Sequence, residues 1–237
     1  MYVSHNEITN VCRKAFQGLK TPYGDAVIIS NIIADLELIG LDGIKGFIKA
    51  LDSLKRDTYQ PAKIETYNAN ISVNLNDDSI LCYLPNLLAY SYDVLADYSE
   101  VSLNIENCRD RLLACGLLDK LTKKRLSIKA QWLNRSSPKK IVYIMNSKDT
   151  TPNIYLSDKP CINNQDLNIN ISKNQIELPN TNSYDICLDS KTLLKKRNEI
   201  LEKGIYISEQ NWNTVAKAAR SILVPNSNQS KLGAGGI

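Results

Sequence analysis

Glycines crowd the end of this chain: of ten in 237 residues, Gly233, Gly235 and Gly236 fall within the last five positions. Glycine lets a backbone reach positive φ and approach another group closely, and successive free N–H groups can cradle an anion. The same composition also suits a frayed end. The stretch from Val224 to Ile237 is read here as an ordered tail that closes a site or seals the core, with Ser227, Ser230, Lys231, Gly233 and Gly235 as ligand-binding candidates. Arg13 and Lys14 on the first helix, Tyr23 at its exit and Arg220 near the last helix complete the candidate set. Each also has an ordinary structural role open to it: a solvated helix face, a turn, or a partner for the C-terminal end of a helix dipole.

The chemistry the chain excludes is clearer. His5 is its single histidine, which removes any multi-histidine metal site, and its place inside a helix cap argues against a Ser-His-Asp triad or a Cys-His dyad. It is expected to be exposed and uninvolved. Asp77-Asp78 lies in a hairpin-like turn, where aspartate is favoured for backbone reasons, so no metal site is assigned to it. There is no G-x-x-x-x-G-K-[ST] loop and no G-x-G-x-x-G between a strand and a helix, and the C-terminal glycines have no helix after them to offer its dipole. No cofactor is therefore assigned.

Composition narrows the partners in the same way. The chain has 29 basic and 25 acidic residues, a net charge of +4, and the two signs are interspersed. Lys139-Lys140 and Lys195-Lys196-Arg197 are the densest basic clusters, and neither forms a nucleic-acid footprint or a polybasic membrane patch. No run of about twenty apolar residues suggests a membrane span. The six cysteines, Cys12, Cys82, Cys108, Cys115, Cys161 and Cys187, contain no C-x-x-C pair, and the N-terminus lacks an apolar signal region. The expectation is a reducing cytoplasm, with Cys12 and Cys115 as small buried hydrophobes.

Three helices are expected in residues 1–60. Ser4 and Glu7 form a capping box, after which Ile8, Val11, Cys12, Ala15 and Phe16 share one face. Gly18 and Pro22 break that helix, and Gly24-Asp25 open a second with Ile28, Ile29, Ile32, Ile33 and Leu36. A third starts at Asp42 with Ile44, Phe47, Ile48, Leu51 and Leu54. Residues 61–189 read as the sheet-containing region. Ile71, Val73 and Leu75 alternate, as do Val101, Leu103 and Ile105, with a helix after Pro85 between them. Cys108 to Leu118 looks helical; strands are expected at Leu126 to Trp132, at Ile141 to Met145 and at Tyr184 to Leu188. Residues 146–182 read as loop-rich, with one weak strand at Leu167, Ile169 and Ile171. In residues 190–237, a helix from Ser190 ends at Gly204, Ser208 caps the helix that carries Trp212 and Val215, and Pro225 stops it before the tail.

Two resemblances follow from these residues. Arg13-Lys14-Ala15, Gly18 and Gly24-Asp25-Ala26 at one end, and Val224-Pro225, Ser227, Ser230 and Gly233-Ala234-Gly235 at the other, resemble an uncharacterised bacterial family of unknown function. Lys231 stands where that family usually has Arg. More distantly, Ile33-Ala34-Asp35 to Gly40-Leu41-Asp42-Gly43, and Lys195-Lys196-Arg197 to Gly204-Ile205 with Trp212, resemble the malate/L-lactate/ureidoglycolate dehydrogenase family, a non-Rossmann NAD(P)-dependent group. Asp42 stands where that family's catalytic His is expected. The resemblance thus implies a shared scaffold without the hydride-transfer site.

The fold expected is α/β or α+β, a mixed sheet from the middle of the chain with the N- and C-terminal helices packed together against it. The function expected is a non-catalytic or accessory protein that binds a small acidic metabolite or a protein partner on a dehydrogenase-like scaffold, with a homodimer allowed. The alternative is a metabolic enzyme using carboxylate, Tyr, Lys or Cys chemistry in a pocket closed by the tail.

Overall fold

The computed structural model describes residues 1–55, 61–159 and 164–221. A two-residue strand, β1 (Tyr2–Val3), leads into α1 (His5–Gly18). The Ser4 hydroxyl accepts from the Glu7 N–H at 3.2 Å and the Glu7 carboxylate accepts from the Ser4 N–H at 2.7 Å, so the capping box forms as expected. Ile8, Cys12, Ala15 and Phe16 turn inward from α1. The next helix, α2 (Tyr23–Leu38), buries Ile29, Ile32, Ile33 and Leu36 together with Ala26, Ser30, Ala34 and Glu37. That nearly all-round burial places it inside the helical layer rather than on its surface. Phe47 of α3 (Gly43–Leu54) stacks on Phe16 with ring centroids 4.6 Å apart.

Glycine permits two close approaches that fix this layer. A Cβ on Gly43 would run into the Ile33 carbonyl oxygen, and one on Gly116 into the Ile32 carbonyl oxygen. The backbone of α2 is thus gripped from both sides, by α3 and by α5 (Cys115–Thr122).

Eight strands form one mixed sheet. In chain order they are β2 (Ile64–Tyr67), β3 (Asn70–Asn74), β4 (Glu100–Glu106), β5 (Ser127–Leu133), β6 (Lys140–Met145), β7 (Asn153–Ser157), β8 (Leu167–Ser172) and β9 (Ile186–Leu188). Their spatial order is β2-β3-β4-β8-β5-β6-β7-β9. Only β3 and β4 are parallel, joined through α4 (Leu84–Val94); every other neighbour in the sheet is antiparallel. Ile141, Tyr143 and Met145 of β6 join the main core, whereas Val142 and Ile144 pack with Tyr155 under Ile176 and Tyr184. Burial on both faces explains why β6 reads as a continuous apolar run.

The chain closes with α6 (Ser190–Lys203), β10 (Ile205–Tyr206) and α7 (Glu209–Arg220). Gly204 ends α6 at φ 85°, and Ser208 caps α7 through the Asn211 N–H at 3.3 Å. Helix α7 packs on α1, and β10 pairs with β1, so the two ends meet as the sequence implies. The class is α/β: seven α-helices among the described residues, and the mixed sheet.

Several expectations need correcting. Residues 146–182 hold two strands, β7 and β8, and β8 lies in the interior of the sheet between β4 and β5. Asn76-Asp77-Asp78-Ser79 is a turn, with Asn76 and Asp77 at positive φ, but it leads into α4 rather than back along a hairpin, since β3 and β4 are parallel. The helical pattern from Cys108 resolves into a 3-10 turn, Arg111–Ala114, followed by α5. Val224, Pro225, Ser227, Ser230, Lys231, Gly233 and Gly235, and Cys161, lie outside the described residues.

Candidate functional site

The entry to α3 is built with care. Gly40 breaks α2 at φ 71°, and the Lys196 ammonium donates to the Gly40 carbonyl oxygen at 3.2 Å. The Glu37 carboxylate reaches forward from α2 and accepts from the Ile44 N–H at 2.7 Å, satisfying one of the free amides of the α3 terminus from the inside. Burial pushes the Glu37 carboxyl above its ordinary value, while the Ile44 amide opposes that rise. Because Glu37 performs the capping, Asp42 is released from it. Asp42 adopts the left-handed conformation at φ 51°, makes no side-chain cap, and lies 3.5 Å from the Lys45 ammonium.

Beside this terminus opens a cleft of about 510 Å³, walled by α3, the segment around Arg111, and the ends of β5 and β6. Four basic residues line it, Lys45, Lys49, Arg111 and Arg135, against two acidic ones, Asp42 and Asp110. Arg111 is held in place: its guanidinium donates to the Cys108 carbonyl oxygen at 2.7 Å and to the Leu133 carbonyl oxygen at 3.2 Å. The rim at Asn134 to Lys139 is also pinned. Asn134 N–H donates to the Lys139 carbonyl at 2.7 Å, its side-chain amide to the Pro138 carbonyl at 2.8 Å, and the Ser137 hydroxyl to Asp158 at 2.7 Å. A cationic mouth on a fixed frame suits an anion, because the cost of ordering the donors is met by folding.

An inner chamber of about 280 Å³ adjoins the mouth and shares Asp42, Leu112, Trp132, Pro138 and Ile141 with it. Cys115 and Tyr143 form part of its wall. Burial pushes the Cys115 thiol and the Tyr143 hydroxyl well up, so both stay protonated, and Cys115 is no nucleophile at neutral pH. On the far side of these two residues a small cavity of about 90 Å³ is lined by Asp35, Asp119, Lys123 and Arg197. Here His5 departs from expectation. At the first position of α1, its Nε2 lies 2.9 Å from the Asp35 carboxylate of α2, and its ring is about one-third exposed.

The sequence-derived candidates lie elsewhere. Arg13 donates to the Tyr23 hydroxyl at 2.8 Å and to Asn10 at 3.0 Å, and its guanidinium sits 5.5 Å from the Tyr23 ring centroid. Lys14 and Arg220 border a groove of about 350 Å³ between α1 and α7, with Trp212 on its wall. Two pairs are thus brought together, but neither lines the α3 cleft. Sequence reasoning missed Lys45, Lys49, Arg111, Arg135 and Trp132; the available signal was the i, i+4 spacing of Lys45 and Lys49 on the outer face of α3, directly after Asp42. Among the described residues, no group of three or more His, Cys, Asp or Glu is placed to hold a metal ion, and no helix is long and apolar enough to cross a membrane.

Residues 3–79 match a family described as "Protein of unknown function (DUF3726)". No curated protein matches the chain. Solved structures do. A dehydrogenase from Sinorhizobium meliloti is similar at a TM-score of 0.70 and 8% identity, over 92% of this chain and 99% of that one. Malate dehydrogenase from Pyrococcus horikoshii OT3 is similar at 0.69 and 7%, over 96% and 97%. Sulfolactate dehydrogenase from Methanocaldococcus jannaschii gives 0.67 and 9%, over 94% and 97%. At such identities the likeness establishes the fold, which is malate/lactate-dehydrogenase-like, and leaves the chemistry to the site.

No histidine lines the cleft or its chamber, although the resembled family would place its catalytic His at Asp42. Reduction of a carbonyl needs a proton donor beside it. Asp42 at the expected position is ion-paired with Lys45, and His5 is engaged with Asp35.

Proposed function

We propose that this protein binds a small acidic metabolite in the cleft beside α3, on a dehydrogenase-like scaffold that does not carry out hydride transfer. The observation that carries this reading is the set of four basic side chains around one mouth, with Arg111 fixed by two backbone carbonyls. Nucleophilic cysteine chemistry finds no support, because Cys115 is held as the thiol. A cytoplasmic setting belongs to the same proposal, supported by the free thiols of Cys12, Cys108, Cys115 and Cys187.

Thermal shift and titration calorimetry with mono- and dicarboxylates test the proposal, with NADH and NADPH fluorescence titrations run alongside. Carboxylates should raise the melting temperature, and the effect should weaken with added salt, as expected for partly exposed charges. Absence of stabilisation by every carboxylate would overturn the binding role. Tight binding of either nucleotide would overturn the exclusion of hydride chemistry.

A further inference from the structure

The inner chamber says more about the ligand than the mouth does. A half-open pocket of about 280 Å³ lies between Leu41, Leu112, Trp132, Ile154, Leu156 and Leu188, and two of its wall residues, Trp132 and Ile154, are only 3% and 4% exposed. Apart from Asp42, on the side shared with the mouth, its walls carry no charge: Cys115 and Tyr143 are both kept neutral by burial, and the Tyr143 hydroxyl is turned to the Met145 sulfur at 3.4 Å. An apolar wall of this kind favours the apolar part of a ligand over water.

We infer that the ligand is an amphiphilic carboxylate, whose head meets Lys45, Lys49, Arg111 and Arg135 and whose alkyl or aromatic part enters the chamber past Trp132. The inference rests on the anion-binding reading above and deepens it. A short dicarboxylate uses only the mouth. A carboxylate with a medium-length chain uses both compartments, and each methylene moved from water into the chamber should tighten binding about fourfold until the space is full.

The test is titration calorimetry of the full chain with butanoate, hexanoate, octanoate and decanoate below their aggregation concentrations, with succinate and 1-octanol as controls. Affinity should climb from butanoate to octanoate by at least about tenfold, and by about 250-fold where all four added methylenes fit, and 1-octanol should bind more weakly than octanoate. Leu188→Trp, which replaces a half-buried wall residue and crowds the chamber, should weaken octanoate at least tenfold and leave succinate unchanged. The chain-length series on the unaltered protein stands even if that variant unfolds. If succinate binds and chain length has no effect, the amphiphile is wrong while anion binding survives. If no carboxylate binds, both ideas fall.

Discussion

The groove between α1 and α7 and the cleft beside α3 are both bordered by basic side chains, yet they differ in what fixes those charges. In the groove, Lys14 and Arg220 sit at helix surfaces, and the neighbouring Arg13 already serves Tyr23 and Asn10. In the cleft, Arg111 is half-buried and tied to two carbonyl oxygens, and the α3 terminus is set by Glu37 from within. Charge alone does not make a site. What separates the two is preorganisation, which lowers the entropic cost of holding a ligand.

The cleft should therefore depend on its frame, and the groove should not. The largest effect is expected for Gly43→Ala. Alanine is favoured over glycine within a helix by about 1 kcal/mol, but its Cβ would meet the Ile33 carbonyl, a backbone atom that cannot turn away, so the clash wins. Chemical denaturation should show a loss of about 3 kcal/mol, in the upper part of the range for overpacking.

Glu37→Ala should come next, at about 2 kcal/mol, because the Ile44 amide loses its buried acceptor. Glu37→Gln keeps an acceptor and separates the cap from the charge. Burial raises the Glu37 carboxyl from its ordinary 4.5, so between that value and the raised one the folded state binds more protons than the unfolded chain. This contribution to stability is complete below 4.5 and is lost as pH rises through the raised value. Melting curves should therefore show Glu37→Gln at least as stable as the parent near neutral pH and flatter across the acid range. A Gln variant as damaged as the Ala variant would show that the charge itself caps α3.

His5→Ala should cost about 1 kcal/mol or less in chemical denaturation, as a partly exposed pair does. Smallest of all, Lys14→Glu with Arg220→Glu should shift stability by under about 0.5 kcal/mol, the usual range for surface positions.

The helices were legible because their signals are local. Ser4 and Glu7 lie within one turn, and the apolar faces of α1 and α3 repeat with the helical period. The strands that were read as weak or missed depend on neighbours instead. In β8, Leu167, Ile169 and Ile171 alternate with Asn168 and Asn170, but only pairing with β4 and β5 makes an asparagine-rich segment part of the sheet interior. Strand β2 is exposed along its length, so no burial pattern marks it. The site was hidden for the same reason, since its cations come from α3, from Arg111 and from Arg135 after β5, and only the fold brings them to one mouth. Asp42 was visible as a departure from a resemblance; its release by Glu37 was not.

Anions should bind at the α3 cleft and not at the α1–α7 groove. Calorimetric titration of succinate against two double variants tests it directly: Lys45→Glu with Lys49→Glu, and Lys14→Glu with Arg220→Glu. All four side chains lie at or near the surface, so folding should survive in both. The first pair should weaken binding about tenfold or more, equivalent to about 1.4 kcal/mol, and the second should leave it unchanged. Equal loss in both, or loss confined to the groove variant, would contradict the account.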